Sequence, residues 1–282
     1  MAELSRLVGE RFFNDATLGR QVAVAHTLFN LINLLLFIAF TVPLARLASL
    51  VAPDRPKKTT VAGKPLYLDP IYLETPNMAI DRAHLECCRL ATLAVSMAED
   101  IPHAAIEGEL RDLRKLDTRD DELDDLQTAI LNYLSCIQAA KLAQKDQHAI
   151  NQIIALVNSW ENIGDLLDSH VLPLGHDRLE TGHAISDKTK KTLFDLHQAL
   201  LQDLRLALLV TTKSDPQDMQ SLLRSKATFR KLADDAESDL RSSLVGRDPE
   251  RMELFRLESD LISNFKHIHH HCRRPAKLLA EG

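Results

Sequence analysis

The sequence predicts an all-α protein: one transmembrane helix near the N-terminus, followed by about six further helices. Hydrophobic residues make up 45% of the 282 residues and aromatic residues 5%, with 9 Gly and 11 Pro, and this composition favours helices over sheets. A long uncharged stretch lies near the N-terminus, and apolar residues recur at helical spacing through most of the remainder. We therefore expect almost no β-strand.

The transmembrane helix is predicted at about 22–44. No charged residue occurs between Arg20 and Arg46, and the stretch supplies the roughly 20 apolar residues that a helix needs to cross a bilayer. A secretory signal peptide is the alternative, but its apolar region normally has only about 7 to 15 residues. We therefore expect residues 1–51 to form an N-terminal segment that anchors the chain in a membrane.

The charges that flank this helix predict its orientation. More Lys and Arg residues follow it than precede it, with Arg46, Arg55, Lys57, Lys58 and Lys64 after the helix and Arg6, Arg11 and Arg20 before it. Positively charged flanks favour the cytoplasmic side. We expect a single-pass protein of the inner (plasma) membrane whose large C-terminal part is cytoplasmic.

A polar stripe interrupts the apolar surface of this helix. His26, Asn30 and Asn33 are spaced at i, i+4 and i+7 and therefore share one face, which is unfavourable against lipid tails. The stripe could form hydrogen bonds between membrane helices, or it could line a substrate or ion path. Both interpretations imply other membrane helices, supplied by a homo-oligomer or by a separate transporter core.

Charge, cysteine usage and motifs exclude several classes of function. The net charge of -6 provides no basic field for nucleic acid. The four cysteines, Cys87, Cys88, Cys136 and Cys272, form neither a CxxC motif nor a secreted disulfide framework, which fits a reducing cytoplasm. The patterns GxSxG, GxGxxG, HExxH and the P-loop are absent from the sequence, so we do not expect an enzyme.

After a proline-containing linker at 52–70, residues 71–282 are predicted to form the helical domain. Breaks near 143–147, 172–186, 213–216 and 246–249 divide it into about six helices. Residues 120–130 also match 234–244 without a gap, with acidic residues at 120/234, 121/235 and 125/239 and apolar residues at 126/240 and 130/244. A duplicated three-helix unit would give the same number of helices, with halves at about 71–171 and 186–280.

Two pairs of carboxylates have the spacing of metal ligands. Asp120 and Asp124 lie one helical turn apart, and Glu161 and Asp165 repeat that spacing on the next helix, beside Gly164. Glu161 falls on the face predicted to be buried, where a carboxylate needs a basic partner, a helix cap or a metal. The pairs therefore predict a site for a divalent or ferric ion, or a basic side chain in its place.

A second candidate metal site lies near the C-terminus. Asp260, Asn264, His267 and His271 form a stripe at i, i+4, i+7 and i+11 within a histidine-rich segment. Asp260, His267 and His271 could ligate a metal ion. The segment could equally be a polar patch near the end of the chain.

Several motifs resemble bacterial Na+/phosphate cotransporters. Residues 20–23 (RQVA) and 25–30 (AHTLFN) resemble the last membrane helix of that family. Residues 67–69 (YLD), residues 73–76 (LETP) and Glu86 with Arg89 resemble the junction into its cytoplasmic tail. This resemblance implies a component of sodium-dependent phosphate transport, with phosphate and Na+ as its ligands.

The acidic pairs resemble those of PhoU proteins. Residues 120–124 (DDELD) and 161–165 (ENIGD) are similar to the paired acidic motifs of that family, which forms two three-helix bundles and can bind metal clusters. The resemblance implies tandem PhoU-like bundles with metal ligands at Asp120, Asp124, Glu161 and Asp165. In the second copy Ser238 replaces Asp124, and residues 266–271 replace the second acidic pair.

Two functions follow from these similarities. The duplicated membrane segments that hold the cotransporters' phosphate and sodium sites are absent from this sequence. The chain is then the terminal membrane helix and regulatory tail of a sodium-dependent phosphate transporter. The alternative is a membrane-anchored regulatory or scaffold protein of phosphate homeostasis that does not itself transport.

Overall fold

The computed structural model describes residues 22–23, 26–38, 40, 63–137, 142–182, 184–242, 244 and 249–280. The chain forms two compact units, Met1–Lys57 and Lys58–Gly282. The regular elements of the described residues are all helices, which confirms the all-α part of the predicted fold class.

The described residues of the first unit, which lie between 22 and 40, are helical. His26 and Asn30 are exposed on this segment and Asn33 is half-buried. Across the parts of the chain that the structure describes, no helix combines the length and the apolar character needed to cross a membrane. The structure therefore does not confirm the predicted membrane helix, of which residues 24, 25, 39 and 41–44 lie outside the described residues.

The second unit begins with a set of helices that pack on one another. A short 3₁₀-helix, Pro70–Glu74, is capped by the Asp69 carboxylate, which accepts a hydrogen bond of 2.9 Å from the Ile71 amide. The helices that follow are α1 (Pro76–Glu107), α2 (Leu110–Leu116), α3 (Arg119–Ser135) and α4 (Gln144–Leu166). Helices α1, α3 and α4 contact each other pairwise and form the first bundle.

Helix α4 continues without interruption into the next helix. A π-helical turn, Leu167–Val171, leads into α5 (Leu172–Thr181), so the break predicted at 172–186 begins only at Gly182. The early part of that prediction is wrong because Pro173 lies just after the π-helical turn and the helix continues through it. Gly182 ends the helix with φ of 69°, a left-handed conformation that glycine adopts readily.

Three long helices form the second bundle. Helices α6 (Asp187–Lys213), α7 (Pro216–Ser242) and α8 (Pro249–Cys272) contact each other pairwise, and α9 (Arg274–Ala280) follows. The Ser186 hydroxyl accepts a hydrogen bond of 3.2 Å from the Thr189 amide and so caps the start of α6. Each bundle therefore contains three long helices that contact one another.

Hydrogen bonds from α1 and α4 to α6 join the two bundles, and α1 packs against α6 while α4 packs against α8. The Trp160 indole Nε1 donates to the Thr211 hydroxyl at 3.2 Å, and His84 Nε2 donates to the Thr211 carbonyl at 2.9 Å. His197 Nε2 donates to the Ala98 carbonyl at 2.7 Å. Buried polar groups that have hydrogen-bond partners define how the apolar faces of the two bundles align. A shift of one bundle against the other would leave these polar groups buried without a partner.

The apolar stripes of α3 and α4 form much of the first core. The stripe predicted on α3 is buried in full, at Leu123, Leu126, Ile130 and Leu134 and at Ile137 just beyond the helix. On α4 the buried face runs through Ile153, Val157, Trp160 and Ile163, whereas Ile150 and Ile154 are half-buried. Glu161 accordingly lies at the border of the buried face and is half-buried, which corrects its predicted place within that face.

Glu86 and Arg89 hold the segment that leads into α1. The Glu86 carboxylate is fully buried and accepts hydrogen bonds of 2.8 Å from the amides of Leu66 and Tyr67. Arg89 Nη1 donates to Glu86 Oε1 at 2.6 Å and to the Lys64 carbonyl at 2.8 Å. Because both charged groups gain several partners, the pair offsets its loss of hydration and fixes where the chain enters the first bundle.

Candidate metal centre

The acidic residues lie on two helices that pack against each other. Asp120 and Asp124 are one turn apart at the start of α3, and Glu161 and Asp165 are one turn apart at the end of α4. The first turn of a helix stabilises negative charge, because its free amides carry partial positive charge. We call Asp120, Asp124, Glu161 and Asp165 the acidic centre.

Gly164 allows the two helices to approach at this point. A Cβ atom added to Gly164 would lie 3.0 Å from Leu123 Cδ1 and 3.4 Å from Asp120 Oδ1. A side chain at this position would therefore press on the helix that carries Asp120.

Three of the four carboxylates converge. Asp120, Asp124 and Asp165 each offer an oxygen atom, and these atoms lie within 4.8 Å of one another. Glu161 lies beside this group and forms a side-chain hydrogen bond with Asp165. The structure thus places three predicted ligands around one point and the fourth against one of them.

Asp120 is the carboxylate with the least favourable surroundings. The pKa of Asp120 is raised to about 7, first by burial and then by the negative charges of Asp124, Asp168, Asp165 and Asp121, in that order. Its Oδ1 atom is buried and has no hydrogen-bond partner among the described residues. An added cation would remove both penalties.

Glu161 has a raised pKa for similar reasons. Burial is the largest cause of the shift to about 7, followed by the hydrogen bond to Asp165 and the charges of Asp165, Asp124 and Asp120. Two carboxyl groups can share a hydrogen bond only when one of them carries a proton. Without a cation, the pair of Glu161 and Asp165 therefore retains a proton close to neutral pH.

Further residues near the acidic centre were not predicted as part of it from the sequence. They are Asp117, Asp121, Asp168 and His176. Burial raises the pKa of Asp168, and Asp117, Asp121, Asp165 and Asp124 add to that rise. His176 Nε2 lies 3.3 Å from Asp117 Oδ1. The spacing of Asp168, three residues after Asp165, could have identified it as a neighbour of the acidic centre. It was not predicted because it lies in the π-helical turn, close to the break expected at 172.

The donor set fits a hard cation. Carboxylate oxygens suit Mg²⁺, Mn²⁺, Fe and Zn²⁺. Asp120, Asp124 and Asp165 would hold the ion, and Glu161 would orient Asp165 from the second layer, as carboxylates beside metal ligands commonly do. A cation here would also give the buried Asp120 Oδ1 a partner.

The second candidate site does not assemble. Asp260 and His267 are exposed and His271 is half-buried, and they do not form a group within ligand distance in the described part of the chain. The physical reason is the spacing, because eleven residues of helix extend about 16 Å along the axis. The neighbouring His269 is buried instead and lies 2.9 Å from Asp203 Oδ2.

The second copy of the acidic repeat meets a lysine. Lys266 Nζ on α8 lies 2.8 Å from Glu237 Oε1 and 3.8 Å from Asp234 Oδ1 on α7. Ser238 stands where the first copy has Asp124. A cationic side chain of the chain itself therefore lies beside Glu237 and Asp234.

Comparisons with known proteins find sequence relatives and a solved structure that are similar to this chain. No protein-family model matches the chain. The chain is 29% identical over 205 residues to YjbB of Escherichia coli strain K12, a protein described as a candidate inorganic phosphate exporter. The proteins of the same name from Shigella flexneri and Salmonella typhimurium are also 29% identical. Each match covers 73% of this chain and 37% of the relative, so the chain spans less than half the length of these relatives.

A solved structure shares the fold. The crystal structure of PhoU from Pseudomonas aeruginosa superposes with a TM-score of 0.66 at 18% identity. The superposition covers 72% of this chain and 96% of that chain. The helical unit therefore has a PhoU-like fold.

Proposed function

We propose that this chain is a membrane-anchored, PhoU-like regulatory module of phosphate homeostasis that binds a metal ion and does not itself transport phosphate. The observation that carries the proposal is the acidic centre, three converging carboxylates on α3 and α4 within a PhoU-like fold. The relatives described as candidate phosphate exporters support the link to phosphate. The proposal assigns no catalytic step to the chain.

The regulatory function is preferred to transport for a physical reason. Alternating access requires membrane repeats that move around a shared site, and the sequence has one apolar run long enough for a membrane helix. Sodium-dependent cotransport is the function of the family whose motifs this sequence resembles. It would require further membrane helices from a homo-oligomer or a separate core. Phosphate and Na+ would then be ligands of that core.

The proposed anchor is the apolar segment at about 22–44, with the N-terminus outside the plasma membrane and the helical unit in the cytoplasm. His26, Asn30 and Asn33 would face partner helices. Reporter fusions after Gly282 measure this topology. A fusion that is active only in the periplasm would contradict it.

Transport assays separate the two functions. Cells that lack their own phosphate transporters would express the 282-residue chain, and labelled phosphate movement would be measured with and without sodium. We expect uptake and efflux equal to those of an empty vector. Sodium-dependent movement well above that control would show that the chain transports.

The regulatory function has its own test. In a host that lacks the gene, the wild-type chain should restore the normal phosphate content, whereas the double variant Glu161→Asn, Asp165→Asn should not. Glu180→Gln, an exposed carboxylate on α5, is the matched control and should restore it fully. Full restoration by the double variant at equal protein level would overturn the role of the acidic centre.

A further inference from the structure

Basic side chains are concentrated where α8 ends and α9 begins. Between residues 261 and 280 the sequence has eight Lys, Arg and His residues and no Asp or Glu, in a chain whose net charge is -6. Two of the eight have acidic partners on other helices, since Lys266 lies 2.8 Å from Glu237 and His269 lies 2.9 Å from Asp203. We call the other six the cationic cluster: His267, His270, His271, Arg273, Arg274 and Lys277.

His270 is the common neighbour of the cluster. His267, His270, His271 and Arg274 are spaced at i, i+3, i+4 and i+7, as neighbours on one helical face are. The ring centroids of His270 and His271 are 5.6 Å apart. The pKa of His270 is lowered first by burial and then by the positive charges of Lys277, Arg273, Arg274 and His267.

Arg273 is the buried member of the cluster. Its side chain is only 7% exposed, and its guanidinium group forms no hydrogen bond or ion pair with the residues that the structure describes. The Nε atom is fully buried, whereas Nη1 and Nη2 are not, so an incoming anion would meet these terminal nitrogens. Because a buried cation is unfavourable without an acceptor or an opposite charge, Arg273 requires a partner from outside this part of the chain.

Helix α4 fixes the backbone that carries the cluster. The Ser159 hydroxyl donates to the His271 carbonyl at 3.2 Å, and Gln152 Nε2 donates to the Leu278 carbonyl at 3.4 Å. These two bonds hold α8 and α9 against α4 on both sides of the junction. A ligand that binds here therefore loses little affinity to ordering of the backbone.

The side chains indicate the class of anion. The planar fork of an arginine matches two oxygens of a phosphate group, and a lysine adds a compact positive charge. His270, Arg274 and Lys277 are exposed, so a ligand can reach them from solution. A phosphate group offers three acceptor oxygens and a charge of about -1.5 to -2 at neutral pH, whereas a carboxylate offers two oxygens and one charge. A phosphate group therefore fits the cluster better.

We propose that the cationic cluster binds a phosphate group, as inorganic phosphate or as a phosphate monoester. Arg273, Arg274 and Lys277 supply the positive charge, and His270 supplies a further hydrogen bond. The site is built from residues outside the acidic centre and does not depend on metal. Only its use as the place where a regulatory module detects phosphate rests on the function proposed above.

Titration of inorganic phosphate into the 282-residue chain tests this proposal. The chain would be held in an uncharged detergent at a constant ionic strength of about 0.15 M, and binding would be followed by NMR shifts of backbone amides. A chelator keeps the acidic centre free of metal, so phosphate held by a metal there does not contribute. We expect saturable shifts centred on residues 267–277, with a Kd of about 1 mM.

Two further ligands define the chemistry. Glycerol phosphate is a monoester, and tighter binding than that of inorganic phosphate would support an ester as the ligand, whereas weaker binding would support free phosphate. Acetate should bind about tenfold more weakly than either, because it has one charge and two oxygens.

A double substitution locates the site. Arg274→Gln, Lys277→Gln removes two exposed charges and should weaken phosphate binding about tenfold. Lys188→Gln, Lys191→Gln removes the same charge from exposed positions of α6 and should leave binding unchanged. If the first double variant does not fold, Arg274→Gln alone provides the test, with an expected loss of about threefold.

Any of four results would overturn the proposal. These are the absence of saturable phosphate binding, shifts confined to residues away from the cluster, equal losses in the two double variants, and binding of acetate as tight as that of phosphate. Because the protein is free of metal in these measurements, none of the four results bears on the role of the acidic centre.

Discussion

Asp120 in the first bundle and Asp234 in the second occupy matching positions of the sequence repeat, yet their surroundings differ. Asp234 is largely exposed and faces the ammonium group of Lys266, which also binds Glu237 at 2.8 Å. Asp120 is half-buried, and the neighbouring charges that raise its pKa all belong to carboxylates. Lys266 thus lies beside acidic residues of α7, whereas the acidic centre, under the function proposed above, would take its cation from solution.

Under the function proposed above, this difference would separate a structural half of the molecule from a responsive half. Lys266 is part of the chain, so its pairing with Glu237 requires no bound ion. If the acidic centre binds a metal as proposed, the stability of the first bundle would follow the metal concentration. The first bundle would then be the half that responds to a change in its surroundings.

The largest expected effect is stabilisation of the chain by metal. At a free metal concentration 100 times Kd, binding contributes about 2.7 kcal/mol, or a rise in Tm of about 5–10 °C for a unit of this size. Chelation should reverse that rise, as measured by calorimetry with Zn²⁺, Fe³⁺, Mn²⁺ or Mg²⁺. The double variant Glu161→Asn, Asp165→Asn should lose the response, and Glu180→Gln should keep it.

The absence of any metal in native mass spectrometry, together with melting that none of these ions changes, would count against the ligand assignment. The carboxylates would then be only a polar seam between α3 and α4.

The second expected effect is a dependence of stability on pH in chelator-treated protein. The folded-state pKa values of Asp120 and Glu161, about 7 each, lie above the unfolded values of about 4. Between these values the folded state binds more protons, so the free energy of unfolding should fall as pH rises from about 4 to 7. After allowance for solvent screening, the loss should total about 1–2 kcal/mol.

Urea unfolding across this pH range measures the effect. The double variant Asp120→Asn, Glu161→Gln should have a flatter profile than the wild type, because neither replacement titrates. Identical profiles for the two proteins would mean that the centre does not contribute to the pH dependence.

A third experiment introduces a lysine into the acidic centre of the first bundle, in imitation of Lys266 in the second bundle. Asp165→Lys places an ammonium group beside Asp120 and Asp124, much as Lys266 lies beside Glu237. In the presence of a chelator, the free energy of unfolding of the variant should be about 1 kcal/mol higher than that of the wild type. The reason is that a lysine replaces a carboxylate that repels its neighbours. Its melting should also become insensitive to metal, and persistent metal stabilisation would show that Asp165 is not a ligand.

The smallest expected effect comes from Lys266→Met, which keeps the alkyl chain and removes the charge. Partly exposed ion pairs contribute little, so we expect a loss of about 0.5 kcal/mol, or 1–2 °C in Tm. Lys226→Met, an exposed lysine on α7, is the control and should cost less. A loss of several kcal/mol would place Lys266 among residues essential to the fold and would weaken the contrast between the bundles.

The sequence by itself determined the helical class and the faces of the helices. Periodicity identifies the stripe through Leu123, Leu126 and Ile130 because residues on one side of a helix recur every three or four positions. The same rule placed Asp120 one turn from Asp124 and Glu161 one turn from Asp165. These features depend only on neighbours along the chain, which the sequence displays directly.

Only the tertiary structure decided which charged groups meet. It brought Asp165 to Asp120, added Asp168 through a π-helical turn, paired Lys266 with Glu237, and left Asp260 apart from His271. Periodicity specifies the direction of a side chain around its own helix but not the distance to another helix. That distance depends on how whole apolar faces pack and on where a residue such as Gly164 leaves room for side chains of the facing helix.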